Sequence, residues 1–171
     1  MAETKIYIDD AVDSRLREEA MERFGYGRGS ISSAVEEAIV QWLAKRSMIK
    51  KGIKRILDEA RSDENVLAVL LFGSYARKMP DYGDVDLAIL LGEGADHFKE
   101  LARYAGASLS EEERLFDVSI LNDMPIDLQS RVLNEAEVLY ARDRPRLYDY
   151  SLGVMDHWSE FRHRFNLMLN K

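Results

Sequence analysis

A pair of apolar runs joined by a short polar loop limits, more than any other feature, how this 171-residue chain can fold. Residues 66–72 (VLAVLLF) are apolar throughout, and residues 84–91 (DVDLAILL) are apolar except for the aspartates at 84 and 86. Runs of this length predict buried strands. Residues 115–121 and 137–142 predict two more, and helices are predicted at 48–62, 95–107, 125–136 and 144–170. Strand and helix patterns therefore alternate along this part of the chain.

Polar residues at the ends of these strands form a pattern suited to phosphate chemistry. Gly73 and Ser74 follow the first strand, where glycine allows close backbone approach and a helix start directs N–H groups at an anion. Asp84 and Asp86 are two apart, so a strand places both carboxylates on one face. Their repulsion is relieved by a hard cation such as Mg²⁺ or Mn²⁺. Asp117 lies in an apolar strand, which is costly unless the carboxylate is paired or metal-bound.

This arrangement resembles the minimal branch of the DNA-polymerase-β nucleotidyltransferase superfamily over about residues 50–145. The resemblance implies an α+β fold, with a mixed sheet and flanking helices. The family motif is Gly-Ser, a loop, Asp-x-Asp and a third acid on a later strand. Nine residues separate Ser74 from Asp84 here, a slightly shorter loop than is usual in the family.

The resemblance implies a role for each residue of the motif. Gly73 and Ser74 would hold the β- and γ-phosphates of ATP. Asp84, Asp86 and Asp117 would bind the metals, and Asp117 would also help deprotonate the attacking hydroxyl. Arg77 and Lys78 are candidates for triphosphate contacts or for solvated surface positions. Many relatives have glycine where Lys78 stands.

The N-terminal segment has a different pattern. Residues 4–9 (TKIYID) alternate polar and apolar, which predicts a strand. A helix with apolar residues every fourth position follows, capped by Asp9 or Asp10. Glycines at 25–29 break it, and Ser30 is predicted to cap a second helix. So small a unit cannot bury enough surface alone, and its lone strand needs a partner, so we expect a homodimer with antiparallel paired strands.

Residues 3–46 resemble the ribbon-helix-helix family of DNA-binding dimers. That resemblance implies that Lys5 and Tyr7 enter the major groove of operator DNA. It also implies that Arg28 and the backbone around Ser30 hold a phosphate. The alternative is a dimerisation clip that never touches DNA. We therefore expect a ribbon-helix-helix domain at residues 1–47 and a minimal nucleotidyltransferase domain at 48–171.

Family context suggests a biological setting. Minimal nucleotidyltransferases of this size are often antitoxins paired with HEPN-domain toxins, and some transfer AMP from ATP to a toxin tyrosine. A DNA-binding appendage suits an antitoxin that represses its own operon. Two alternatives stay open, namely an enzyme acting on a small molecule or RNA, and an inactive DNA-binding or toxin-binding regulator.

Composition narrows these classes further. Cysteine is absent, which excludes disulfides and thiolate metal sites. The three histidines, at 97, 157 and 163, are too scattered for a zinc site. The net charge of −7 argues against wholesale nucleic-acid coating. With no apolar stretch of about 20 residues and no signal segment, a cytoplasmic protein without a membrane association is expected.

Overall fold

The computed structural model describes residues 5–104 and 115–169, which divide into two compact units between Met48 and Ile49. The first unit contains helix α1 (Asp10–Phe24) and the first part of helix α2 (Ser30–Ser62). The second contains the rest of α2, namely residues 49–62, followed by four strands and four further helices.

Helix α1 has the predicted boundaries. The Asp9 carboxylate accepts a hydrogen bond from the Ala11 N–H at 2.9 Å, and Gly25 ends the helix with φ 81°. The predicted cap by Ser30 is wrong. The Ser30 hydroxyl is buried and donates to the Gly27 carbonyl at 3.0 Å and also to the Gly25 carbonyl. It therefore holds the glycine-rich loop against the start of α2 instead of satisfying the helix N–H groups.

The predicted N-terminal strand does not form in the described chain. Residues 5–9 lie outside any helix or strand, and Thr4 lies outside the described residues. A β-strand is defined by its ladder of hydrogen bonds, and this segment has no neighbouring strand within its own unit. Residues 5–48 of the single chain therefore contain no ribbon of a ribbon-helix-helix fold.

The N-terminal unit has almost no buried core. Among its described residues only Ala20 and Ser30 are buried. An apolar groove of about 490 Å³ runs along its surface, and Ile6 and Trp42 in it are 54% and 53% exposed. The groove is lined by Ile6, Ile8, Val12, Asp13, Leu16, Ile31, Val35, Ala38, Ile39 and Trp42. Such a groove is unfavourable in water unless another apolar surface covers it.

Helix α2 runs without interruption from Ser30 to Ser62, which corrects the prediction of two helices separated near residues 46–50. No glycine or proline lies between residues 30 and 51 to break it. Val35, Trp42, Ile49 and Ile56 are spaced by seven, so one apolar stripe continues along the helix.

The second unit is built on a four-stranded mixed sheet, as predicted. Its strand order is β3-β2-β1-β4; β1 is antiparallel to both neighbours and β2 is parallel to β3. Strands and helices follow in the chain order β1 (Val66–Phe72), α3 (Gly73–Ala76), β2 (Val85–Leu91), α4 (His97–Tyr104), β3 (Phe116–Ile120), α5 (Ile126–Glu135), β4 (Glu137–Ala141) and α6 (Arg144–Leu169). The last part of the predicted helix 95–107 lies outside the described residues.

The two faces of this sheet bury separate apolar clusters. One face packs against α2, where Ile49 and Ile56 meet Leu87 and Ile89 of β2. The opposite face packs against α5 and α6, where Ala88 and Leu90 belong to a second cluster, with Val132, Leu147 and Tyr150. Neighbouring residues of β2 therefore point to opposite helix layers, as the pleat requires.

The C-terminal end of α2 is fixed by Arg142, just after β4. Its guanidinium donates to the carbonyl oxygens of Ala60, Arg61, Asp63 and Val66 at 2.9–3.3 Å. Ala60 and Arg61 lie in the last turn of the helix, where carbonyl oxygens have no partner within the helix, so the arginine acts as a C-terminal cap. No helix in the described part of the chain is long and apolar enough to cross a bilayer.

Candidate active site

The site begins where β1 turns into the one-turn helix α3. Phe72 is extended, and Gly73 has φ 74°, in the left-handed region that favours glycine. The space beside Gly73 is taken by Asp86, because a Cβ built on Gly73 would lie 1.8 Å from the Asp86 Oδ2 atom. Any side chain at position 73 would therefore displace the carboxylate. This explains why the chain needs glycine between β1 and Ser74.

Strand register brings the predicted acidic residues to this turn. Asp86 pairs with Phe72 across the antiparallel β1–β2 ladder and with Asp117 across the parallel β2–β3 ladder. Asp86 and Asp117 therefore stand side by side on neighbouring strands. Asp84 immediately precedes β2, which starts at Val85, so it lies just before the strand rather than within it. Asp84 and Asp117 are exposed, whereas Asp86 is half-buried.

The electrostatics show that the three carboxylates interact. Burial raises the pKa of Asp86, and the charges of Asp84 and Asp117 raise it further. A backbone hydrogen bond and the nearby positive charge of Arg77 act in the opposite direction, but they offset only part of this rise in the pKa. Concentrated negative charge of this kind is typical of a site that binds a cation.

The three aspartate carboxylates have the chemistry of ligands for a divalent cation, but their side chains are not yet close enough together to enclose one. Within residues 5–104 and 115–169, no three histidine, aspartate or glutamate side chains stand close enough to enclose a metal as they are placed. The donor chemistry nevertheless suits Mg²⁺ or Mn²⁺, since all three groups are hard oxygen ligands and Asp86 has a raised pKa. Asp84 and Asp117 are exposed, so packing does not fix their side-chain rotamers.

The remaining predicted nucleotide contacts lie on the segment after Ser74. Arg77 forms an ion pair with Glu135 at the end of α5, with 3.2 Å between Nη1 and Oε2. Lys78 has φ 57°, a left-handed conformation that costs most residues about 1–2 kcal/mol. The Lys78 N–H donates to the Tyr75 carbonyl and the Met79 N–H to the Ser74 carbonyl.

Two contacts at the site were not predicted from the sequence. The Tyr75 and Tyr82 rings meet edge to face with centroids 5.0 Å apart, which holds the loop before Asp84 against α3. Glu135 is the other, and it lies 58 residues from Arg77. No motif spacing links Glu135 to Arg77, so only the fold brings them together.

The predicted DNA-contacting residues all belong to the N-terminal unit. Tyr7 is 83% exposed, and the Lys5 ammonium lies 5.1 Å from the centroid of its ring. Arg28 is exposed in the glycine-rich loop, and Ser30 is buried behind it. The structure thus leaves Lys5, Tyr7 and Arg28 accessible, but the Ser30 hydroxyl is already engaged with loop carbonyls.

A mixed sheet with a Gly-Ser turn beside three carboxylates defines a nucleotidyltransferase. The model of the family described as "Polymerase beta, Nucleotidyltransferase" matches residues 52–145, more than half of the chain. The chain belongs to this family. No functionally curated protein matches it.

Several solved structures share the fold. A chain in the crystal structure of a toxin–antitoxin with AMP-PNP is 16% identical, with TM-score 0.53 over 70% of this chain and 94% of that one. A mutant of the toxin–antitoxin MntA–HpeT gives 15% identity and TM-score 0.51 over 69% and 93%. A chain in the structure of a tri-AMPylated Shewanella oneidensis HEPN toxin in complex with MNT antitoxin is 16% identical. Its TM-score is 0.50 over 74% of this chain and 96% of that one. At these identities the likeness concerns the fold.

Proposed function

We propose that this chain transfers AMP from ATP to an acceptor hydroxyl, with the reaction centred on Asp84, Asp86 and Asp117. The observation that carries the proposal is the register of β1, β2 and β3. It places Asp86 next to Asp117 and folds the Asp86 carboxylate over Gly73. A phosphate-binding turn and paired acids on neighbouring strands are what nucleotidyl transfer requires.

Each residue has a defined task in this proposal. The backbone at Gly73 and the Ser74 hydroxyl hold the β- and γ-phosphates. Asp84, Asp86 and Asp117 hold Mg²⁺ or Mn²⁺, which when bound neutralises phosphate charge and lowers the barrier to attack. Asp117 takes the proton of the acceptor hydroxyl. The hydroxyl oxygen then forms a bond to the α-phosphorus, the bond from that phosphorus to the β-bridging oxygen breaks, and pyrophosphate leaves.

The acceptor we propose is a tyrosine of a HEPN-type toxin, which makes this chain an antitoxin. The support is the fold shared with chains of toxin–antitoxin complexes, one of which contains a tri-AMPylated HEPN toxin. Small-molecule or RNA acceptors, and an inactive regulator, are the competing functions.

Calorimetry with ATP tests the metal-dependent half of the proposal. Wild type should bind ATP only when Mg²⁺ or Mn²⁺ is present, because the acids otherwise repel the triphosphate. Asp84→Asn should lose most of that binding, while Asp156→Asn, an exposed aspartate on α6, should keep it. Equal heats with and without metal, or in wild type and Asp84→Asn, would support the inactive regulator.

We also propose that the N-terminal unit pairs with a second copy and binds operator DNA. The support is the nearly coreless unit with its exposed apolar groove. In the dimer the segments at residues 4–9 would pair and present Lys5 and Tyr7 to the major groove, with Arg28 on the phosphate backbone. Lys5→Ala should weaken binding in a gel shift with the chain's own upstream DNA and leave ATP binding intact. Equal affinity for both proteins would favour the dimerisation clip.

A further inference from the structure

The second unit carries a concentration of positive charge that nucleotidyl transfer does not use. Between Trp42 and Leu57 the sequence contains six lysine and arginine residues and no aspartate or glutamate. Four of the six, Lys50, Lys51, Lys54 and Arg55, belong to the second unit and are exposed; we refer to them as the basic face. Removing them from the 24 basic residues of the chain leaves 20 against 31 acidic residues. The positive charge is therefore local in an otherwise acidic protein.

Helix geometry arranges the basic face as two rows. Lys50 and Lys54 are four residues apart, as are Lys51 and Arg55, so each pair stands one turn apart on the solvent side of α2. Lys54 pairs with Asp58, which also holds Arg61 at 2.9 Å between Nη1 and Oδ1. Within the described residues, Lys50 and Lys51 make no ion pair. The helix thus presents ammonium groups to solvent in a short, regular array.

This face is remote from the triphosphate side of the candidate active site. The inner side of α2 packs on the sheet face that carries Leu87, and Gly52 approaches so closely that a Cβ there would lie 2.2 Å from the Phe116 ring. Asp86 alternates with Leu87 on β2 and points to the other face of the sheet. The sheet lies between the basic face and the acids of the candidate active site, so these lysines take no part in the proposed nucleotidyl transfer.

The surroundings of the basic face favour a rigid polyanion as its ligand. A lipid surface is disfavoured because the apolar side of this helix is already buried, with Ile49 and Ile56 at 0% and 1% exposure, so nothing is left to insert. Single-stranded nucleic acid is disfavoured because the basic face has no aromatic residue on which bases could stack. Duplex DNA offers a dense row of phosphates that lysine ammonium groups neutralise without specific geometry.

We propose that the basic face of α2 binds the phosphate backbone of double-stranded DNA, independently of base sequence. The choice of DNA rests on the operator binding proposed above, because α2 is continuous with the N-terminal unit that carries Lys5 and Tyr7. Contacts by Lys50, Lys51 and Lys54 add affinity that does not depend on the operator sequence.

Fluorescence anisotropy with a labelled duplex of unrelated sequence tests this proposal on the full-length protein. The triple variant Lys50→Gln, Lys51→Gln, Lys54→Gln should bind at least tenfold more weakly at low salt. The slope of log affinity against log salt should become shallower by about 0.9 for each phosphate that the variant leaves without a cation. The matched control Lys99→Gln, Arg131→Gln, Arg162→Gln removes the same charge from exposed positions elsewhere and should behave as wild type.

Two further measurements distinguish this proposal from a folding defect and from a failure of the proposed nucleotidyl transfer. Lys50→Arg, Lys51→Arg, Lys54→Arg keeps the charges and should restore duplex binding, which a folding defect in the glutamine variant would not predict. ATP binding, measured by calorimetry, should be the same in all three triple variants even if nucleotidyl transfer proves absent. Equal duplex affinity in the glutamine variant and its control, or tighter binding of single strands than of duplex by wild type, would overturn the proposal.

Discussion

The Asp86 carboxylate lies against Gly73, and this contact joins the turn proposed to bind phosphate to the acidic residues. A Cβ on Gly73 would be 1.8 Å from Asp86 Oδ2 and 2.5 Å from its Cγ. The clash extends from the terminal oxygen to the Asp86 Cβ, which would lie 3.1 Å away, so moving the outermost atom alone would not relieve it. Position 73 therefore controls both the turn that presents Ser74 and the placement of a carboxylate.

Gly73→Ala should disrupt the site and destabilise the protein. The left-handed φ of 74° alone costs an alanine about 1–2 kcal/mol, and displacement of Asp86 adds to that. Metal-dependent ATP binding should be lost. Gly83→Ala is the matched control, since it lies in the loop that follows α3 with nothing within 4 Å of a new Cβ and no positive φ. Chemical denaturation and calorimetry measure both effects, and equal behaviour of the two variants would contradict the assigned role of Gly73.

Asp86→Asn should stabilise the metal-free protein at neutral pH. Burial and two neighbouring carboxylates raise the pKa of Asp86 in the folded protein, so the native state binds more protons than the unfolded chain. The resulting stability is present below the ordinary aspartate pKa of about 4 and is lost as pH rises through the raised value. Asparagine cannot ionise, so this loss should disappear. Thermal melts at pH 4 and pH 7 measure it.

The wild-type protein and Asp86→Asn should therefore differ more at pH 7 than at pH 4. Asp156→Asn, at an exposed position on α6, should show no such divergence. A lower melting temperature for Asp86→Asn than for wild type at pH 7 would mean that burial and the neighbouring carboxylates do not destabilise the ionised form of Asp86.

Arg77 and Glu135 should act on ATP as a coupled pair. Arg77→Ala should weaken ATP binding about tenfold, as expected for the loss of a hydrogen bond to a charged group worth about 1.5 kcal/mol. Glu135→Gln should tighten binding, because it releases the Arg77 guanidinium for contact with the phosphates. The double variant should match Arg77→Ala alone. Calorimetry decides it, and tighter binding that persists without Arg77 would show that Glu135 acts independently.

Ile39→Glu should convert the expected dimer to a monomer. Ile39 lines the apolar groove of the N-terminal unit and is 46% exposed, so a charge there opposes burial of the groove. Val40→Glu is the control, since Val40 is 58% exposed and is not part of the groove lining. Sedimentation velocity separates the two outcomes. A dimeric Ile39→Glu protein would place the interface elsewhere.

The sequence was sufficient to predict the sheet and the residues that gather at the candidate active site. Long apolar runs mark β1 and β2 because central strands are covered on both faces. The Gly-Ser turn and the spacing of Asp84 and Asp86 are local features, so they were visible without the fold. Asp117 was singled out because burying a carboxylate in an apolar strand is costly, but its side chain is exposed, so that cost does not apply to it.

What the sequence did not reveal depends on contacts between distant segments. The pairing of Arg77 with Glu135 needs the end of α5 to lie beside α3. The strand at residues 4–9 was predicted from alternation, but alternation supplies no partner for its hydrogen bonds. The prediction of two helices in place of one continuous α2 is wrong for a different reason. The seven-residue spacing of Trp42 and Ile49 indicates one helix, but this region was interpreted as a boundary.

Transfer of the α-phosphate with its nucleoside is the reaction proposed for this chain, and the position of an isotope label distinguishes it from transfer of the terminal phosphate. The protein should be incubated with Mg²⁺, the HEPN-type partner and ATP labelled at either the α- or the γ-phosphate. Label should reach the partner from the α-phosphate only, with none when Asp86→Asn or Asp117→Asn replaces wild type. Label from the γ-phosphate, or undiminished α-label with both variants, would contradict the proposed transfer.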